Sequence, residues 1–348
     1  MLRSPFEETV ARDIVAGKWE EPTGAAGETL GEGLWALPGL VDAHAHLASA
    51  QLFEAGSFAE AVPRARHALE AGVTMILDKG WNDDTTIRVI DAIPEDKRPE
   101  IEAAARIIAP PDGYFPGFAP GIEPDDLRDE VAAQAVAGRG WVKVIGDWPR
   151  RGRGPVANFD EAELRAAVEV AHAADVMVAI HTMAREVPAA AVSAGVDSIE
   201  HGLFLDEDDL GVLGGRGGMW VPTILRVEAT IAQIGVASSG GRLLAEGLGA
   251  LSRLLPVAIE AGVHVLAGTD LVGAPADVAA EARRLGEFGM TPAQVVTAVS
   301  TSGFVATGRD ATFTPGTPAN AVFFEANPIL ELGALSHPRH VIRLGRVV

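Results

Sequence analysis

Leu37-Pro-Gly-Leu-Val-Asp-Ala-His-Ala-His-Leu47 reads as a buried strand, Leu37–His46, entered through a proline–glycine turn and closing on two histidines. Alternate side chains on a strand share a face, so His44 and His46 can reach one ion. Imidazole is the commonest metal ligand at neutral pH. Outward from this segment, apolar runs recur at Val73–Leu77, Ile101–Ile107, Trp141–Ile145, Val176–His181, Ser198–His201, Met219–Pro222 and Val263–Gly268. Amphipathic helical stretches such as Phe58–Glu70, Glu161–Ala174 and Ala276–Phe288 lie between them, and Asp160 with Glu163 has the spacing of a helix-capping pair. Strand–helix alternation repeated about eight times predicts an α/β chain forming a (β/α)8 TIM barrel over residues 37–314. Residues 1–36 and 315–348 lack long helices and carry short strand-like pieces, among them Ala321–Phe324 and Val341–Val348. They are expected to pair as a small β-sandwich module beside the barrel.

Apolar content of 48% over 348 residues supports one large core. A net charge of −20 argues against nucleic acid as a partner, because phosphate binding needs a basic patch. The cluster Arg150-Arg151-Gly152-Arg153 reads as a solvated loop. With no cysteine, thiolate sites are excluded and a metal must be held by nitrogen and oxygen. The start, MLRSPFEETVARD, has acids and a proline where a signal peptide has an apolar core. No uncharged apolar run approaches the ~18 residues of a membrane span. A soluble, cytoplasmic protein with a small-molecule substrate and no membrane partner is expected; a homo-oligomer stays open.

In such a barrel, catalytic groups sit at the carboxyl ends of the strands. Strand four places Lys143 inside an apolar run, where an ammonium is costly. It either snorkels to the rim or reacts with CO2 to a carbamate, whose two oxygens can bridge two cations. Strands five and six end at His181 and His201, and strand eight at Asp270. Taken singly, each histidine reads as a hydrogen-bonded core residue and Asp270 as a turn or cap. Six such residues on five strand ends together read as a site. His67, His172, His264, His337 and His340 fall on helices, a strand start or the terminal segments, and read as structural.

PGLVDAHAH, the strand-four lysine, AGVDSIEHG, VPTI and AGTD, in this order, resemble the amidohydrolase superfamily, in its branch of prolidase-type and imidazolonepropionase-related enzymes. The pair Ala319-Asn320 departs from the usual Ala-Asp, and the amino-terminal module is shorter than usual. The resemblance implies two divalent ions, zinc by ligand type. His44, His46 and Asp270 would hold one ion and His181 and His201 the other, with carbamylated Lys143 between them. It implies hydroxide attack with Asp270 as proton shuttle. One-metal deaminases of the superfamily carry a glutamate three residues after the strand-five histidine. Ala184 stands there, with Glu186 the nearest acid, which favours hydrolysis.

The expected substrate is an amide, either a dipeptide or an N-acyl amino acid, with a lactone or carbamate next and a heterocycle deaminated at one metal after that. A barrel without catalysis, serving as a scaffold, is disfavoured because all six ligand types are present. Where related dipeptidases carry Gly-Gly-His after strand three, this chain reads Pro111-Asp-Gly-Tyr-Phe-Pro-Gly-Phe118, with its only tyrosine, Tyr114. Tyr114, Arg185 and Arg226 are the candidate substrate contacts, the arginines as bidentate carboxylate receivers.

Overall fold

Pro38 and Gly39 end one sheet and start another. Trp35–Leu37 belongs to a four-stranded antiparallel sheet, and the strand carrying His44 begins at Leu40. The expected single strand Leu37–His46 is thus two strands. Proline offers no ladder N–H, and Gly39 has φ +146° with its α-carbon against the Thr74 side chain, where a Cβ would clash. The computed structural model describes every residue except 1, 7–8, 25–26, 28, 52–53, 117, 120 and 151–152, together with all side chains but those of residues 50, 51, 54 and 55.

Eight parallel strands carry the chain: β1 (Leu40–Ala45), β2 (Val73–Asp78), β3 (Glu100–Ala103), β4 (Trp141–Ile145), β5 (Met177–Thr182), β6 (Ser198–His201), β7 (Met219–Val221) and β8 (His264–Val265). They pair as β1–β2–β3 and as β4–β5–β6–β7–β8. Hydrogen bonds cross both gaps between these groups. Arg139 and Ala103 exchange backbone bonds, and Ile108 donates to Lys143 O; on the other side Ala43 donates to Ala267 O and Asp270 to His44 O. The third and eighth strands are shorter than their apolar runs predict, because residues 104–108 and 266–270 pair only at single points. The strands are buried on both faces, as a parallel sheet wrapped by helices requires.

Helices form where apolar residues recur at helical spacing. Glu161–Ala173 buries Leu164, Ala167, Val168 and Ala171, and its first turn is closed by reciprocal bonds between Asp160 and Glu163. Both ends of the chain meet in the antiparallel sheet: Ala321–Phe324 pairs with Trp35–Leu37 on one side and His340–Arg343 on the other, which pairs in turn with Arg346–Val347. Trp19, buried on a short hairpin, packs edge-on against Phe313. No helix among the described residues is long and apolar enough to cross a membrane.

Candidate functional site

His44 lies near the end of β1, and His46 one residue beyond it. The backbone carbonyl of His44 accepts from Asp270 N, which brings the two remote segments together. Asp42 ties them further: its carboxylate accepts from Thr269 N at 3.0 Å, Thr269 Oγ1 at 2.7 Å and His44 N at 3.2 Å. Burial pushes Asp42 up to about 6, opposed by these same bonds. Gly268 passes so close to His44 that a Cβ there would sit 2.6 Å from the His44 Cβ. His201, Thr223 and Asp270 all have positive φ, so three strand ends are held in conformations that L-residues rarely adopt.

His44, His46 and Asp270 each offer a ligand atom, and these atoms lie within 4.8 Å of one another. His44 Nε2 and His46 Nε2 are both 3.5 Å from Asp270 Oδ1, and His201 Nε2 is 3.8 Å from Oδ2. The other nitrogen of each ring is committed elsewhere. His44 Nδ1 is 2.6 Å from Glu200 Oε2, and His46 Nδ1 is 2.7 Å from Gly80 O. His201 Nδ1 is 2.6 Å from Thr223 Oγ1, whose own proton goes to Pro222 O. A carbonyl, an ionised carboxylate and a hydroxyl that already donates can only accept, so each Nδ1 carries a proton and each Nε2 is the atom turned toward Asp270. Metal-ligating histidines are oriented in this way. Asp78 supports the His46 contact by accepting from Leu47 N and Gly80 N, which sets the turn that presents Gly80 O.

Burial holds His44 down to about 4 and His201 to about 3, and His181 well below its usual value, so the imidazoles are neutral at pH 7. Burial opposes ionisation of Asp270, yet the interaction with His44, then the hydrogen bond with His46 and the interaction with His201, hold it well below the usual carboxylate range. A buried, anionic oxygen thus faces several imidazole nitrogens, a donor set that suits zinc or a similar divalent ion.

The remaining predicted ligands are arranged differently. His181 Nδ1 and His201 Nε2 lie 2.9 Å apart, aimed at each other. Lys143, buried on β4, has no hydrogen-bond acceptor for Nζ among the described residues, and burial lowers it to about 8. Of the expected substrate contacts, Tyr114 lies with its ring 6.3 Å from His181, and its hydroxyl is pushed up by burial first and then by Asp270. Arg226 is buried and acts on Tyr114 from the opposite sense. Arg185 is not brought to this group: it is exposed, paired with Glu246 and stacked on Phe204.

Two buried charges escape a reading of the sequence. Lys79, directly after β2, places Nζ 3.2 Å from Glu200 Oε1 and 4.1 Å from the centre of the Trp141 ring. Glu200 also accepts from Ser198 Oγ, and Lys79, His44 and Lys143 hold it well below its usual range against the effect of burial. Glu200 sits beside His201 in an apolar strand, and a charged residue in such a run is the signal that could have found it.

Comparison with known proteins places the chain in a family and a fold. The profile of the amidohydrolase family matches residues 35–348. An uncharacterized protein of Mycobacterium tuberculosis is 33% identical over 99% of this chain and 94% of its own length. Ochratoxinase of Aspergillus niger is 26% identical over 70% of this chain, a match spanning 53% of that enzyme. Among solved structures, a Xaa-Pro dipeptidase with methionine bound in its active site has the same fold, with TM-score 0.78, 23% identity, and coverage of 91% of this chain and 87% of that one.

Proposed function

Since the chain belongs to the amidohydrolase family and is a hydrolase acting on carbon–nitrogen bonds, we propose that it cleaves an amide in a dipeptide or N-acyl amino acid at a two-metal site. The observation that carries this reading is the convergence of the His44, His46 and His201 Nε2 atoms on Asp270, with each Nδ1 anchored to a protein oxygen. In this reading the eight parallel strands form one closed (β/α)8 barrel over residues 37–314, with the site at their carboxyl ends. The small β module then comprises residues 1–36 and 315–348.

His44, His46 and Asp270 would hold one divalent ion, and His181 and His201 a second. Two such ions supply a more acidic water and an electrophile for the scissile carbonyl. Lys143 would contribute as a carbamate: its neutral amine would form an N–C bond to CO2 and release one proton to water, giving two oxygens that share one negative charge. The burial that lowers Lys143 to about 8 raises the share of neutral amine near neutral pH, and Nζ has no acceptor among the described residues. Asp270 takes a proton from the attacking water and returns it to the departing nitrogen. Tyr114 and Arg226, coupled to each other beside Asp270, would receive the substrate's carboxylate.

Metal quantitation followed by a hydrolysis screen over dipeptides, N-acyl amino acids and lactones tests this. The expected result is about two ions per chain and amino-acid release that stops on chelation. Undiminished hydrolysis by protein without metal overturns it.

A further inference from the structure

Aromatic side chains form an unbroken arc around one side of the site. From His46 it passes to Trp81 (5.6 Å between ring centres), Phe118 (4.3 Å), Tyr114 (5.4 Å), Trp148 (4.7 Å) and back to His181 (5.9 Å). Phe115 joins it, 4.5 Å from Trp148 and 5.0 Å from Tyr114. Trp81 and Phe118 are buried behind, whereas Tyr114, Phe115 and Trp148 are only half-buried. The chain has few aromatics, 5% of its residues, and its only tyrosine stands here, between the two histidine pairs.

The arc is held from behind. Asn158 Nδ2 donates to Gly113 O at 2.9 Å and to Ile145 O at 2.8 Å. Arg150 donates to Asp112 O and Asn158 Oδ1. These bonds clamp the segment carrying Tyr114 and Phe115 to the end of β4, so the wall is formed in advance of any ligand. Half-exposed rings at a reactive centre, edge-to-face with one another, offer a further ring the same packing.

We propose that this arc is the specificity wall, and that the substrate carries an aromatic ring next to the scissile amide. The inference rests on the amide-hydrolase reading and adds the substrate class. It treats Phe115 and Trp148 as specificity-determining contacts rather than as packing of the rim.

Titration calorimetry with N-benzoyl-L-alanine, N-acetyl-L-phenylalanine and N-acetyl-L-alanine separates the two ideas, because binding reads as a heat step and hydrolysis as continuing thermal power. The aromatic compound whose ring meets the wall should bind about tenfold tighter than N-acetyl-L-alanine. Trp148→Ala and Phe115→Ala should each shrink that ratio toward one. Equal affinity for all three compounds overturns the inference, as does a ratio unchanged in both variants. Ring-selective binding that depends on Trp148 and Phe115, without hydrolysis of any of the three, keeps the wall and counts against amide hydrolysis.

Discussion

The two halves of the site are built differently. On one side, His44 and His46 have their Nδ1 atoms fixed by Glu200 and Gly80, and their Nε2 atoms aimed at Asp270. On the other, Thr223 fixes His201 Nδ1, but His201 Nε2 and His181 Nδ1 point at each other, and Lys143 Nζ has no acceptor among the described residues. The first half is complete as folded. Its orientation comes from neutral hydrogen bonds and from Glu200, whose charge Lys79 balances. In the second half the two imidazoles hydrogen-bond each other, and the carbamate and cation of the proposed function would separate them and satisfy Lys143.

Removing the shared group tests both halves at once. Asp270→Asn leaves the size of the side chain but removes the charge and the proton acceptor, and hydrolysis should fall by ~10³-fold or more. Metal content measured on the same sample should fall with it. A variant that keeps full metal and near-normal turnover breaks the assignment of Asp270.

Lys143→Ala comes next and bears on the comparison directly. If only the second half depends on the carbamate, bound metal should drop toward about one ion per chain while hydrolysis falls by ~10²-fold. Added acetate, a free carboxylate, should restore part of the activity. Loss of both ions would show that the two halves are not separable.

Smaller effects come from the groups that orient the rings. Glu200→Gln removes the acceptor charge behind His44, and Thr223→Val removes the hydroxyl behind His201. Each should weaken metal retention by ~10-fold to ~100-fold in a chelator competition. Glu200→Gln should act on the ion held by His44, His46 and Asp270 and Thr223→Val on the ion held by His181 and His201, with little change in the fold by circular dichroism.

Acid acts through the same imidazoles. His44 and His201 take up protons near 4 and 3 when folded but near 6.5 when unfolded. Between those values the unfolded chain binds more protons, so the stability of the metal-free protein is full above about pH 6.5 and falls as pH drops toward 4. At pH 5 the loss is about 2 kcal/mol for each imidazole, readable by denaturant melts of chelator-treated protein. His44→Gln should flatten the slope by its share. Smallest of all, Arg185→Ala should leave kinetics within about twofold, because an exposed ion pair contributes little.

Much of this was legible along the chain. The α/β class with a parallel core follows from apolar runs separated by helical patterns, and the helix Phe58–Glu70 has the limits its periodicity predicts. The His44-Ala-His46 step and the histidines at the ends of β5 and β6 stand out because a polar residue closing an apolar strand is a local signal. Strand limits were less legible: Leu37 joins the antiparallel sheet, since Pro38 cannot continue a ladder. Arg185 and Arg226 look alike in sequence, each a few residues beyond a strand. The fold buries one beside Tyr114 and leaves the other on the surface with Glu246.

By itself, then, the sequence determined the fold class, the family and the kinds of donor available, because periodicity, burial preference and ligand chemistry belong to single residues and their near neighbours. Only the tertiary structure decided which donors meet. Asp42 and Thr269 bond across 227 positions, and Lys79, Glu200 and His44 form one buried chain from three separate strands. The aromatic arc likewise draws on the segments that follow β1, β2, β3 and β4 and on β5 itself. Such contacts depend on distances of a few ångströms between remote segments, and no local pattern encodes those.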